Sequence, residues 1–349
     1  MDREANLMER NEEIPASAYS QHETASAGFA PPVRVVAFGK VDEDAERARL
    51  VQGLLRRHAT IEPKYFYDAR GCALYERICT LPEYYLPTVE RGIFARYREA
   101  ILRELPHAPQ WIDLGCGDGR KSPDWVRALK ARRYVGVDIA RGALSATVAR
   151  AIRDYDETEA LGIACDFSRS LDLRAVIAEM ADRPAVFFYP GSSIGNFPEP
   201  EAVALLRSVG DHLTPGGRLF LGVDLVKDRG ALEAAYADAQ GVTAAFNRNV
   251  LAVVNRVADA DFVPDRWEHQ AVFDARAARI EMRLVARENQ RVRIGDQRRG
   301  FARGDSILTE YSHKYTIEGF GALLASAGFH RVRAWTDDRR WYAVFVAGV

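Results

Sequence analysis

The sequence predicts an α/β protein: a parallel sheet with helices on both faces, and a second α+β unit beside it. Three observations carry this. Trp111-Ile-Asp-Leu runs directly into Gly115-Cys-Gly117-Asp-Gly119 and then into a stretch of helical spacing. Four more short apolar segments follow, separated by helical stretches. From Lys227 to about Asp305 that series is interrupted by a helical and then an alternating pattern. Strands alternating with helices form parallel sheets that bind ligands at the carboxyl ends of their strands.

Taken in order, Met1 to Ala30 is polar, rich in Glu, Ala and Ser, and aperiodic, which predicts a mobile tail. Val33 to Phe38 reads as a short strand. Glu43 to His58 reads as a helix with Ala45, Leu50, Leu54 and Leu55 as its apolar positions. Pro63 to Arg91 holds five tyrosines among Asp, Arg and Glu residues. Such aromatics pack a small helical lid or line a pocket for a polar, partly aromatic ligand. Trp111, Ile112 and Leu114 end a buried strand. Trp125, Val126 and Leu129 share a face of the helix predicted over Ser122 to Ala131, with Pro123 in its first turn.

The glycine spacing is G-x-G-x-G, not that of dinucleotide-binding folds, and no G-K-[ST] closes it as in a P-loop. Alone it fits a plain tight turn as well as a nucleoside site. The next strands add to it. Tyr134 to Asp138 ends in an acid about twenty residues past the glycines, where a carboxylate can take ribose hydroxyls. Ile163 to Phe167 ends in Asp166, which can accept from an adenine amino group, and Phe167, which can wall the ring. Ala185 to Tyr189 enters the loop Pro190-Gly191, and the Gly216-Gly217 turn precedes a strand ending at Asp224.

Tyr236 to Val254 reads as helix. Ala271 to Ile294 reads as two strands, because Ile280, Met282 and Leu284, then Val292 and Ile294, alternate. Ile317 to Gly328 is a helix ended by glycine, and Val332–Thr336 with Tyr342–Val346 forms a closing antiparallel pair.

Composition narrows the class. The chain has 349 residues, 48% of them hydrophobic and 28% charged, with a net charge of −1. That is ordinary for a globular protein and disfavours sequence-independent nucleic-acid binding. The acid-rich start is unlike a signal peptide, and no apolar run reaches the ~20 residues needed to span a bilayer. A cytoplasmic protein without a membrane partner is expected. Cys72, Cys79, Cys116 and Cys165 form no C-x-x-C and no disulfide framework, and the seven histidines have no metal-ligand spacing, so no metal site is predicted.

The segment from Trp111 to Asp224, with the C-terminal pair, resembles the class I S-adenosylmethionine-dependent methyltransferases. The resemblance implies S-adenosylmethionine over the glycine turn. Gly115, Gly117, Lys121, Asp138, Asp166, Phe167 and Gly191 would bind it, with Asp138 on the ribose and Asp166 and Phe167 at the adenine. No phosphate has to be held, which suits the missing Lys-Ser/Thr.

Longer motifs point further. Lys64-Tyr-Phe-Tyr67-Asp68-x-x-Gly71-x-x-x-Tyr75-Glu-x-Ile and Leu81-Pro-Glu-Tyr84-Tyr85, Gly191-Ser-Ser-Ile-Gly-Asn196, Gly222-x-Asp224-Leu-x-Lys227-Asp228, Tyr236-x-Asp238-x-x-Gly241-Val-Thr-Ala-x-Phe246-Asn-x-Asn249, Glu281-Met282 and Glu310-Tyr-Ser312 resemble the L-histidine Nα-methyltransferases of ergothioneine biosynthesis. The match runs from about residue 60 to the C-terminus. It implies that Tyr67, Tyr84, Asn196, Tyr236, Met282, Glu310 and Ser312 line an amino-acid site, with Tyr67, Asn196 and Tyr236 catalytic. Asn196, Tyr67 and Tyr236 would hold the α-amino and carboxylate groups. Glu310 and Ser312 would pair with the two imidazole nitrogens, and Met282 would pack the ring. A bulky Tyr311 between the last two would narrow the side-chain pocket.

The implied division is a tail (1–30), a substrate-binding domain (31–95 with 227–305) and a methyltransferase domain (96–226 with 306–349). The implied reaction is trimethylation of histidine to hercynine by a monomer with a small-molecule substrate. Another amino acid such as tryptophan, or a non-catalytic cofactor-binding protein, stays open. A nucleic-acid methyltransferase is disfavoured, because the loop reads Pro190-Gly-Ser-Ser rather than D/N-P-P-Y/F.

Overall fold

The computed structural model describes residues 33–37, 42–155 and 157–349. The tail expected over 1–30 lies outside the described residues, as does Phe38 of the first expected strand. In chain order the N-terminal part holds β1 (Val35–Ala37), α1 (Glu43–Leu55), β2 (Ala59–Thr60), α2 (Ala69–Ile78) and α3 (Leu86–Glu104). Then come β3 (Gln110–Leu114), α4 (Pro123–Leu129), β4 (Arg133–Asp138), α5 (Arg141–Asp154), β5 (Glu159–Ala164), α6 (Arg174–Ala178), β6 (Ala185–Tyr189), α7 (Glu199–Asp211) and β7 (Arg218–Asp224). The insertion holds α8 (Arg229–Tyr236), α9 (Val242–Ala258), β8 (Trp267–Asp274), β9 (Arg279–Ala286), β10 (Gln290–Ile294), β11 (Gln297–Phe301) and β12 (Ser306–His313). The chain closes with α10 (Ile317–Ser326), β13 (Arg331–Thr336) and β14 (Tyr342–Gly348).

The main sheet has eight strands in the order β1-β5-β4-β3-β6-β7-β14-β13. Strands β1 and β3 to β7 pair in parallel, and β14 enters antiparallel between β7 and β13, with Ala343 opposite Val223. Strand β3 is buried on both faces, as a central parallel strand must be. One face packs Trp111 and Phe188, ring centroids 4.9 Å apart, with Trp125 5.0 Å from Phe220. The other buries Ile112, Leu114, Val135 and Phe187. The order reverses at β3, so β3, β4 and β6 open a crevice at their carboxyl ends.

A second sheet, β2-β12-β9-β8, stands beside the first, with a separate β10–β11 hairpin. Four strands thus replace the two expected over Ala271–Ile294 and just beyond it. The two-residue Gly295-Asp296 turn, with Gly295 at φ +57°, folds β10 onto β11. The helix expected over Tyr236–Val254 breaks into α8 and α9. The Asp238 carboxylate accepts from the amides of Val242 (2.9 Å) and Thr243 (2.7 Å), which restarts the helix. One expected domain boundary cuts a helix, and another sends a whole strand to the wrong sheet. Helix α3 runs through residue 95, and β12, grouped by sequence with the large sheet, pairs with β9 and β2 in the small one.

The tyrosine-rich motif is partly a fastening. Phe66 stacks on Phe246 of α9 at 4.5 Å. Asp68 caps α2 through the Gly71 amide (2.8 Å) and accepts from Asn249 (2.8 Å) and Arg256 (2.7 Å) of α9. A Cβ at Gly71 would lie 1.6 Å from the Phe66 carbonyl oxygen, so glycine is required there. Two motifs 181 residues apart in sequence at Asp68 and Asn249 therefore form one joint.

Candidate functional site

The loop after β3 places Gly115, Gly117 and Gly119 at φ +66°, +49° and +63°. A Cβ on Gly117 would meet no protein atom within 4 Å, so the loop's outer side is open. The Gly117 amide donates to Asp138 Oδ2 at 2.9 Å, and the Ala140 amide donates to Oδ1 at 2.9 Å. Burial raises the Asp138 carboxyl above its ordinary range, while these amides pull it down. Each of its oxygens keeps a lone pair for a hydroxyl. The Phe167 ring lies 3.8 Å from the position a Gly115 Cβ would take. An open glycine cradle, a carboxylate at the end of β4 and a ring beside them fit an adenosine group.

Asp166 and Phe167 lie past the end of β5 rather than in it, since the last β4–β5 pair is Asp138 with Ala164. The Asp166 carboxylate accepts from Lys64 (3.3 Å) and Arg169 (3.2 Å) and from Ser168. It ties the β5 loop to the N-terminal segment. Lys121 pairs with Glu90 of α3 at 2.6 Å. The other Glu90 oxygen accepts from the Gly191 amide (2.7 Å) and the Tyr342 hydroxyl (2.6 Å). Glu90 is 1% exposed and links two expected cofactor residues, Lys121 and Gly191. Sequence reading gave it no role, although Leu86, Glu90 and Ile93 form one buried helical stripe.

Next to this crevice, all seven expected substrate residues line one cavity of about 520 Å³, open mouth included. Tyr67 and Tyr84 come from the N-terminal segment, Asn196 from the turn after β6, and Tyr236 from the end of α8. Met282 belongs to β9, and Glu310 and Ser312 to β12. Tyr75, Ile78, Gly191, Ser192, Thr243 and Phe246 also line it. The Tyr84 and Tyr236 rings meet edge to face at 6.0 Å, as do those of Tyr67 and Tyr75. Burial keeps the Tyr67, Tyr84 and Tyr236 phenols protonated, well above or above their ordinary pKa.

A β-bulge aims the β12 residues. Leu308 pairs with Arg283, but Glu310 pairs with Met282, so Thr309 is extra. The buried face passes from Ile307 and Thr309 to Glu310, Ser312 and Lys314. Tyr311 then points the other way, its ring 3.7 Å from the Arg279 guanidinium. It does not line the cavity, which corrects the expected narrowing. Burial pushes the Glu310 carboxyl up to about 8, against the pull of Lys314. Among the described residues no donor hydrogen-bonds it, so its acceptor capacity faces the cavity.

Behind the wall lies a buried charge cluster. Lys314 donates to Asp224 (2.8 Å), Tyr236 (2.9 Å) and Ser312 (2.8 Å). Asp224 also accepts from Lys227 (2.5 Å) and from Tyr85 (2.8 Å). Burial lowers Lys227 to about 8, whereas for Lys314 the Asp224 and Tyr236 acceptors outweigh burial and raise it above its ordinary value. Sequence reading missed Lys314, whose signal was its parity with Glu310 and Ser312 on one strand. Among the described residues no cluster of His, Cys, Asp or Glu could hold a metal ion, and no helix is long and apolar enough to cross a membrane.

The parallel sheet with its antiparallel β14 insertion, a glycine loop after the reversal strand and an acid ending its neighbour define a class I methyltransferase fold with a nucleoside crevice. A profile described as histidine-specific methyltransferase, SAM-dependent, matches residues 46–349, and the chain belongs to that family. It is 38% identical to a histidine N-alpha-methyltransferase of Mycobacterium tuberculosis, over 88% of this chain and 97% of the relative. It is 40% identical to the enzyme of that name in Mycolicibacterium smegmatis, over 84% of this chain and 92% of the relative. An L-tryptophan methyltransferase of Psilocybe serbica is 26% identical, over 85% of this chain and 91% of the relative.

Proposed function

We propose that the protein transfers three methyl groups in turn to the α-amino nitrogen of L-histidine, making hercynine for ergothioneine biosynthesis. The observation that carries this is the polar pair Glu310 and Ser312, set side by side on β12 in a tyrosine-walled cavity beside the glycine crevice. A phenyl pocket has no use for a buried carboxyl without a protein donor, and an indole, with one N–H and no lone-pair nitrogen, would leave the Ser312 hydroxyl without a partner.

When bound, S-adenosylmethionine supplies an electrophilic methyl on a sulfonium sulfur. Gly115 and Gly117 admit the adenosine part, Asp138 accepts from the ribose, and Asp166 and Phe167 flank the adenine. Lys121 and the Gly191 loop, joined by Glu90, hold the amino-acid end. Asn196, Tyr67 and Tyr236 orient the substrate amine and carboxylate. Burial among protonated phenols favours the neutral amine, whose lone pair is the nucleophile. The rest is alignment, with nucleophile and methyl about 3–3.5 Å apart. The methylated ammonium is accommodated by the tyrosine faces. The N-terminal segment and the small sheet together form the substrate-covering domain.

The test is calorimetric titration with L-histidine in the presence of S-adenosylhomocysteine, with L-tryptophan in parallel. Histidine binding that is lost in Glu310→Ala, followed by mass detection of trimethylated product, supports the reading. Binding of tryptophan alone would remove hercynine as the product. Binding of neither would leave a cofactor-binding protein with another role.

A further inference from the structure

Lys314 reaches the substrate pocket only through other residues. It is 3% exposed and does not line the cavity. Its ammonium has three hydrogens, and three acceptors surround it: Asp224 Oδ2 at 2.8 Å, Tyr236 Oη at 2.9 Å and Ser312 Oγ at 2.8 Å. Every donor is used. Tyr236 Oη and Ser312 Oγ also lie 2.7 Å apart, so one of these hydroxyls donates to the other. Neither can donate to Lys314, which has no lone pair as an ammonium.

The proton count then closes. The two hydroxyls carry two protons, and one lies between them. The other has no acceptor among the described residues and is left for the cavity that both residues line. A phenol is a stronger acid than an alcohol and so the better donor of the pair. Tyr236 therefore donates to Ser312, and the Ser312 proton faces the ligand.

We infer that Lys314, anchored by Asp224, is a positioning residue that makes Ser312 a hydrogen-bond donor into the amino-acid pocket. Two residues away on the same face, Glu310 is an acceptor. One donor beside one acceptor selects a neutral ring with one N–H and one lone-pair nitrogen. It rejects an imidazolium, which has two N–H groups, and an indole, which has no lone-pair nitrogen. The inference rests on the histidine reading above and assigns the specificity to a residue that never touches the ligand.

The experiment compares L-histidine with β-(2-thienyl)-L-alanine, a five-membered-ring analogue without nitrogen, by titration in the presence of S-adenosylhomocysteine. Lys314→Met should weaken histidine about 10- to 100-fold and change the thienyl analogue less than about 3-fold. Because Lys314 acts through Ser312, Lys314→Met combined with Ser312→Ala should lose no more histidine affinity than Ser312→Ala alone. Equal weakening of both ligands, or additive losses in the double variant, would overturn the inference and leave Lys314 a structural residue. A second measurement needs no variant. Nitrogen NMR of ring-labelled histidine bound to the wild-type protein should show one protonated and one hydrogen-bonded, unprotonated nitrogen. A doubly protonated ring would overturn the inference while keeping the histidine reading. No histidine binding to the wild-type protein would overturn both.

Discussion

Glu310 and Met282 face each other across the β9–β12 ladder one residue out of step with the preceding pair, Leu308 and Arg283. The extra residue, Thr309, is 1% exposed, and its single hydroxyl proton is shared between Asn247 Oδ1 (2.8 Å) and the Met282 carbonyl (3.0 Å). The bulge is thus pinned by a side chain, and it sets where the Glu310 carboxyl points. Thr309→Val keeps the shape and removes the pin. It should cost about 1–3 kcal/mol of stability in urea unfolding. Histidine affinity should fall while S-adenosylhomocysteine affinity stays unchanged. Equal loss of both ligands would make the change a global one.

Glu310 gives a pH signature of known sign. Burial holds its carboxyl at about 8 in the ligand-free protein, against 4.5 ordinarily. Between those values the unfolded chain releases a proton that the folded chain keeps. Its contribution to stability is therefore intact below about 4.5, declines as pH rises and levels off above about 8. Glu310→Gln should become more stable relative to wild type across that interval in thermal melts. Accepting from an imidazole N–H favours the ionised carboxyl, which is the stronger acceptor. Binding should thus release up to one proton, and affinity should fall by up to about tenfold per unit as pH drops below 8. Titrations in buffers of different ionisation enthalpy measure the release, and Glu310→Gln should abolish it.

How much of this was legible follows from which signals are local. The order of strands from Trp111 to Asp224 could be read because each is a short apolar run closed by a turn. The positions of Asp138 and the glycines were legible because a strand end and a turn mark them in the sequence. The helix break at Asp238 and the Gly295-Asp296 hairpin were misread, since a capping side chain and a two-residue turn act below the scale of periodicity. The bulge at Thr309 breaks the alternation only ahead of Glu310; beyond it, strand parity turns Tyr311 away from the pocket and puts Lys314 on the face of Glu310 and Ser312, so the expected narrowing came from adjacency in the chain rather than from the strand pattern. Glu90 and Asp224 act through contacts more than a hundred residues away, and no sequence window contains those.

Asp68 shows how the motif around it should be tested. Its carboxylate caps α2 and receives Asn249 and Arg256 of α9, so it holds the tyrosine wall against the insertion. Asp68→Ala loses the cap and strands the buried Asn249 amide. A loss of about 2–3 kcal/mol is expected, with looser histidine binding, because Tyr67 is the adjacent residue. The cofactor crevice should be spared. Thermal melts with and without S-adenosylhomocysteine check this: the stabilisation given by that ligand should match wild type.

Gly117 separates a structural glycine from a ligand-facing one. At φ +49° an added Cβ costs about 1–2 kcal/mol, yet it would touch no protein atom within 4 Å. Gly117→Ala should therefore fold with a modest drop in melting temperature and bind S-adenosylhomocysteine at least about tenfold more weakly. Gly71→Ala should behave oppositely and fail to accumulate as folded protein, because its Cβ would overlap the Phe66 carbonyl. Unchanged cofactor-product affinity in Gly117→Ala would show that the adenosine group lies elsewhere.

Glu90 tests whether the two sides of the crevice are coupled. Its carboxylate takes Lys121 on one oxygen, and the Gly191 amide and Tyr342 hydroxyl on the other. In Glu90→Gln the amide oxygen can keep the second set, but the amide nitrogen then faces the Lys121 ammonium, donor against donor. Lys121 would leave its place while the Gly191 loop and β14 stay fastened. Stability should drop by about 1–3 kcal/mol and S-adenosylhomocysteine affinity by about tenfold. Lys121→Met in the same background should add little further loss, since the lysine would already be displaced. A full additional loss on adding Lys121→Met, measured by the same titration, would show that Lys121 holds the ligand without help from Glu90.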